Sequence, residues 1–151
     1  MPQHQEKRIL PYKPQQLFDL VADIERYPEF LPWCKGARIL EREGETLVRA
    51  DLIIGYKMFQ EKFTSVVTLN RPRAIEVKYM SGPLSHLTNQ WEFRPEGKGG
   101  CELSFHVDFD FRSSLLRSAM EMFFDKAILK MVTAFEARAG ALYGKAQQVE
   151  G

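Results

Sequence analysis

The stretch CELSFHVDFDF, Cys101 to Phe111, alternates without a slip. Cys101, Leu103, Phe105, Val107, Phe109 and Phe111 fall on one side; Glu102, Ser104, His106, Asp108 and Asp110 fall on the other. Successive side chains of a strand point to opposite faces, so this segment predicts a strand with one buried and one wet face. Such a strand belongs in an antiparallel sheet covered on a single side. The chain must therefore also supply the cover.

The same period of two runs through ARILERE, TLVRADLIIGYKM, FQEKFTSVVTLN, AIEVKYM and HLTNQWEFRP, which places strands over about 36–112. The pieces between them, EGE, NRPR, SGP and PEGKGG, are turn-like. QEKRILPY predicts an edge strand ahead of the others. A first helix is expected over about 14–26, with Pro14 in its first turn and Leu17, Phe18, Val21 and Ile24 on one face. Pro28 should stop it and open a short turn that Pro32 ends.

The cover is C-terminal. From Ser113 to about Tyr143 there is no proline, and the first glycine is Gly140. Ser113 or Ser114 suits an N-cap, and about 30 helical residues would span about 45 Å. Winding this helix, about 113–143, puts Leu116, Met120, Phe123, Phe124, Ala127, Ile128, Met131, Ala134, Phe135 and Leu142 on one face. Leu115, Met122 and Leu129 recur nearly opposite, as a seam for a loop, a membrane or a partner. Strands followed by a long helix predict an α+β fold, read as one domain over 1–151.

Composition narrows the partners. The net charge of +1 gives no electrostatic footprint for DNA, so no DNA partner is expected. No segment approaches the roughly 18 apolar residues of a membrane span, and MPQHQEKR lacks a secretory apolar stretch. The expected location is cytoplasmic, or peripheral to the inner membrane. Cys34 and Cys101 have no metal-ligand spacing and read as free thiols.

Chemistry is sparse. There is no G-x-S-x-G, phosphate loop or HExxH. His106, Asp108 and Asp110 with His86 have the residue types of a metal triad. Their places in the alternation put them on a solvated outer face, so no metal site is expected. Glu61 is in register with Phe59, Phe63, Val67 and Leu69, and Ser65 shares that face. A carboxylate there must be paired, hydrogen-bonded or protonated, or else reach solvent at a strand end. It is the candidate to anchor a polar head or to act as an acid or base. No nucleophile–base pair can be named, and no catalytic residue is expected. The inward positions are overwhelmingly apolar, as in a container for a greasy molecule.

VADIERYPEFLPWC, FTSVVTL, SGPLSHLTNQWEF and CELSFHVDFDFRSSLL resemble the coenzyme Q-binding, polyketide cyclase/dehydrase-type branch of the START-like superfamily, from about Arg8 to Leu142. The most specific part is YPEFLPWC; Gly82–Pro83 through Leu87 to Trp91 and Phe93, and Phe111–Ser113, support it. Leu84 stands where an aromatic is common in the branch, and Ser81 where an acid is common. The resemblance implies a helix-grip fold: a curved antiparallel sheet of about six to seven strands wrapped around a long C-terminal helix, with an apolar tunnel between. It implies non-enzymatic binding and delivery of a polyprenylated quinone, a coenzyme Q-like lipid, in support of respiratory electron transport. The quinone is then a ligand, and no covalently bound cofactor is implied. Peripheral membrane contact goes with that role.

Relatives in the branch include a ribosome-association toxin, which makes the large ribosomal subunit an alternative partner. Arg71, Arg73, Lys78 and Arg94 are then its candidate basic patch. A cyclase or dehydratase is a third reading. The ligand-binding set that the resemblance carries over is Phe30, Leu31 and Trp33 at the turn. From the strands come Ile54, Phe59, Phe63, Trp91, Phe105 and Phe109, with Glu61 added from the strand pattern. From the helix come Phe124, Ile128, Met131 and Phe135. Each apolar member fits a plain core position equally well. The turn could plug the tunnel or lean toward a membrane to admit a ligand.

Overall fold

The computed structural model describes residues 3–56, 59–121 and 124–150. Seven strands form one antiparallel sheet in the order β1-β7-β6-β5-β4-β3-β2. They are β1 (Gln3–Leu10), β2 (Cys34–Glu43), β3 (Leu47–Tyr56), β4 (Phe59–Asn70), β5 (Ala74–Ser81), β6 (Leu84–Glu96) and β7 (Gly100–Phe111). The alternation of β7 holds in space: Cys101, Leu103, Phe105 and Val107 are buried on the concave face. Bulges interrupt the ladders at Cys34/Gly36, Ile39/Glu41, Thr64/Ser65 and Leu84/His86. Each adds bend and twist, which curves the sheet.

One helix plugs one end of this trough. In α1 (Pro14–Ala22), Pro14 opens the first turn and the Gln16 side chain accepts the Lys13 N–H at 3.0 Å. Leu17, Phe18, Leu20 and Val21 are buried. Phe18 meets Phe93 edge-on, with ring centroids 5.7 Å apart. Arg71, in the β4–β5 turn, grips Asp19 through two hydrogen bonds of 2.8 and 2.9 Å. The helix stops at Ala22, four residues before the expected end near 26. Asp23 leaves helical geometry at ψ 68°, and the Tyr27 hydroxyl donates to the Val21 carbonyl. That carbonyl is one the helix cannot satisfy internally. Pro28 does not open the following turn but lies inside a 3-10 helix, Ile24–Glu29. This tight form suits short pieces.

The C-terminal cover is α2 (Ser114–Glu121) and α3 (Phe124–Glu150), the latter interrupted at Gly144, φ +70°. Val132, Phe135 and Ala139 are its most buried side chains, with Ile128, Met131, Ala134 and Tyr143 packed beside them. The Tyr143 hydroxyl donates to the Gln16 carbonyl at 2.9 Å, tying α3 to α1. Leu142 was expected on the buried face, yet it is 51% exposed. The contacts of Tyr143 with Gln16 and Tyr12 turn the buried stripe toward Tyr143 and leave Leu142 outside. Of the opposite seam, Leu115 is 81% and Leu129 50% exposed; Met122, like Phe123, lies outside the described residues. Among the described residues no helix is long and apolar enough to cross a membrane.

Candidate functional site

Between the concave sheet and α3 lies a cavity of about 300 Å³. α1 fills the trough only as far as Phe93, which is fully buried. Beyond it the inward side chains face a void. At the inner end Val67, Ile75, Trp91, Phe105 and Phe135 are buried. At the other end Ile54, Phe63, Phe109, Phe111 and Ile128 are half-buried and Glu61 is exposed. The mouth is therefore at the Glu61 end. From Val67 to Glu61 along β4 the distance is about 20 Å, at about 3.3 Å per residue.

Aromatic packing sets the inner wall. The Phe135 ring lies 5.1 Å from Trp91, 5.1 Å from Phe30 and 5.4 Å from Tyr27, all edge-on. One helical side chain thus joins the sheet to the YPEFLPWC corner. Trp91 also meets Phe105 at 4.7 Å. Edge-to-face pairs of this kind fix ring orientation as well as adding contact energy. Burial pushes the Tyr27 hydroxyl pKa well above its ordinary value, so it stays a donor.

The expected binding residues divide clearly. Leu31, Trp33, Ile54, Glu61, Phe63, Trp91, Phe105, Phe109, Ile128, Met131 and Phe135 all line the cavity. Phe30 is not among the lining residues; it stands behind Phe135 and Tyr27, with the Arg138 guanidinium 5.2 Å over its ring. The side chains of Phe59 and Phe124 lie outside the described residues. Within the corner, then, Leu31 and Trp33 touch the void while Phe30 packs the helix.

Polar groups on the lining are few. Asn89 was missed, although it is two residues from Trp91 and so shares its face. It is already engaged: its Oδ1 accepts the Trp91 indole at 2.9 Å, and its Nδ2 donates to the His106 carbonyl at 2.8 Å. Trp33 Nε1 is buried without a hydrogen-bond partner among the described residues. Ser65 is 3% exposed. Glu61 reaches solvent, the strand-end outcome. Among the described lining residues there is no Lys, Arg or His, and Glu61 is the one charge. Such a wall accommodates a neutral, largely apolar guest; an anionic head would be desolvated here without a cation.

The histidine–aspartate cluster lies on the convex face. His86 Nε2 is 3.2 Å from Asp108 Oδ1, and Arg117 donates to Asp110 at 2.8 Å. Among the described residues no group of three or more His, Cys, Asp or Glu is placed to hold a metal. Cys34 and Cys101 are buried free thiols, and burial pushes the Cys101 thiol up to about 11.

A curved antiparallel sheet closed by a C-terminal helix over an apolar cavity defines a helix-grip protein of the START type. Residues 10–136 match the family described as polyketide cyclase/dehydrase and lipid transport, and the chain belongs to that family. It is 38% identical over 140 residues to the ribosome association toxin RatA of Pseudomonas aeruginosa, spanning 93% of this chain and 96% of that one. It is 33% identical over 148 residues to the mitochondrial coenzyme Q-binding protein COQ10 homolog B of Xenopus laevis, spanning 95% of this chain and 60% of that one. In structure it is similar to a Streptomyces aromatase/cyclase, Zhui, with a TM-score of 0.80 at 17% identity over 91% of this chain and 93% of that one. This last likeness is one of fold alone.

Proposed function

We propose that this chain is a non-enzymatic carrier that binds a polyprenylated quinone-type lipid and delivers it at the inner membrane in support of respiratory electron transport. The observation that carries the reading is the cavity: mostly apolar, free of cations among its described lining residues, and open at one end. Moving each CH₂ of a prenyl tail out of water gains about 0.8 kcal/mol. A protein sheath therefore lowers the cost of carrying such a tail between bilayers. The cavity is at the small end of ligand pockets, about 300–1,000 Å³, so it takes the ring and the first part of a tail. The similarity to a coenzyme Q-binding protein favours a quinone over other neutral lipids.

The test is expression in a quinone-making host, organic extraction and mass spectrometry. An isoprenoid quinone at near-stoichiometric yield is expected. No bound isoprenoid, together with no uptake of added quinone, removes the reading.

A second reading, association with the large ribosomal subunit, is favoured by similarity to RatA over 96% of that protein's length. Three of its four candidate basic residues already face acids: Arg71 with Asp19 at 2.8 Å, Lys78 with Glu76 at 3.4 Å and Arg94 with Glu92 at 3.5 Å. Co-sedimentation with large subunits at physiological salt decides it; protein left at the top of the gradient counts against. A cyclase or dehydratase would need an acid–base group at the void. Glu61 is the one carboxylate there among the described residues, and unchanged turnover in Glu61→Gln would remove that case.

A further inference from the structure

Two side chains of the cavity wall carry a donor with no hydrogen-bond partner among the described residues: Trp33, whose Nε1 is itself sealed off, and Ser65. Ser65 is 3% exposed and lines the void. Across the ladder its neighbours are Ala50 on β3 and Tyr79 on β5. A hydroxyl turned to an apolar void without a protein partner costs stability that a Val or Ala would not. The strand is also bulged at Thr64/Ser65, a device that re-aims a side chain next to a site. Asn89 and Tyr27, neutral polar side chains of the same wall, are already committed, Asn89 Oδ1 to the Trp91 indole and the Tyr27 hydroxyl to the Val21 carbonyl.

Position sets the direction of the ligand. Ser65 is two residues from Val67 and four from Glu61, so it stands about 7 Å from the inner end and about 13 Å from the mouth. A ring oxygen bonded there puts the head inside and leaves the tail to run out past Glu61, Ile54 and Ile128. The small cavity agrees, since a long tail does not fit within it. We propose that Ser65 is the hydrogen-bond donor to a carbonyl oxygen of the bound ring, so that the ligand enters head first. This rests on the lipid-carrier reading and adds the ligand's orientation and its acceptor.

The test uses decylbenzoquinone and decylbenzene, which share a six-carbon ring skeleton and a decyl tail, and of which the quinone alone carries carbonyl acceptors. Their affinities for wild type, Ser65→Ala, Ser65→Thr and Trp33→Phe are measured by displacement of a fluorescent apolar dye. Loss of one neutral hydrogen bond predicts that Ser65→Ala weakens decylbenzoquinone about 2- to 10-fold and leaves decylbenzene unchanged. Ser65→Thr, which keeps the hydroxyl, restores the difference. Should the alanine variant not fold, Ser65→Cys reads the same contrast through a weaker donor. If Ser65→Ala weakens both probes alike or neither, or if Trp33→Phe is the selective variant, the head-first placement is overturned while the lipid reading stands. If wild type binds neither probe, both are overturned.

Discussion

Arg138 on α3 donates through Nη2 to Glu29 Oε1 at 2.7 Å, so the long helix holds the corner that helps close the cavity. Arg26 takes the other carboxylate oxygen at 2.8 Å. The hydrogen bonds from Arg26 and Arg138 hold the Glu29 carboxyl below its usual range. A depressed folded-state value means that the pairing stabilises the fold above the unfolded value, near 4.3, and that this contribution is lost as pH falls through the folded value. Wild type should therefore melt above Glu29→Gln at pH 6, and the gap should close below about pH 4. Thermal melts of both proteins from pH 3 to 7 check this; a gap that persists at pH 3 would refute it.

The Trp91–Asn89 bond predicts a cost on the sheet itself. Asn89→Leu leaves the Trp91 indole N–H without its acceptor inside an apolar wall. Stranding a buried donor costs about 1–3 kcal/mol. Urea unfolding should show a lower midpoint with an unchanged slope. An equal midpoint would mean that the indole finds another acceptor.

Phe135 predicts a larger effect. Its ring contacts Tyr27, Phe30 and Trp91 and it is 4% exposed. Phe135→Ala should cost about 3–5 kcal/mol, as large-to-small changes of a buried Phe do. It should also enlarge the cavity, so a bulkier apolar dye gains affinity in the variant relative to wild type. Destabilisation without any change in dye preference would show that the wall collapses into the space.

Much of the sheet could be read from the chain because its period is short-range. Cys101 to Val107 alternate in sequence and in space, since strand geometry alone decides which face each takes. The limits of the site were harder to read. Phe93 and Trp91 both point inward, yet Phe93 is covered by Phe18 while Trp91 faces the void. What separates them is where α1 ends, and that depends on the Tyr27 hydroxyl reaching the Val21 carbonyl. Periodicity carries no trace of such a contact. Phe30 was misplaced for the same reason: its side of the corner is set by Arg138 and Phe135, more than a hundred residues away. Asn89 could have been found by counting two residues from Trp91, whereas the freedom of the Ser65 hydroxyl needed the partners of every neighbour.

The SGP turn gives the last prediction. Gly82 has φ +143°, a conformation that L side chains rarely adopt. A Cβ there would sit 2.6 Å from Phe63 Cβ and 3.0 Å from the Tyr79 hydroxyl oxygen. That oxygen accepts the Leu84 N–H at 3.0 Å, which holds the start of β6. Gly82→Ala therefore has to move Phe63, part the Tyr79–Leu84 bond, or shift the turn. Strain of this kind costs about 1–3 kcal/mol, and a chain of this size loses about 2–4 °C of Tm per kcal/mol. Phe63, Pro83 and Leu84 all line the cavity toward its mouth. The variant should thus lose apolar dye affinity together with Tm, whereas Gly97→Ala, in the distant β6–β7 turn, should lower Tm alone. Equal dye affinity in wild type and Gly82→Ala would mean that the turn does not shape the entrance.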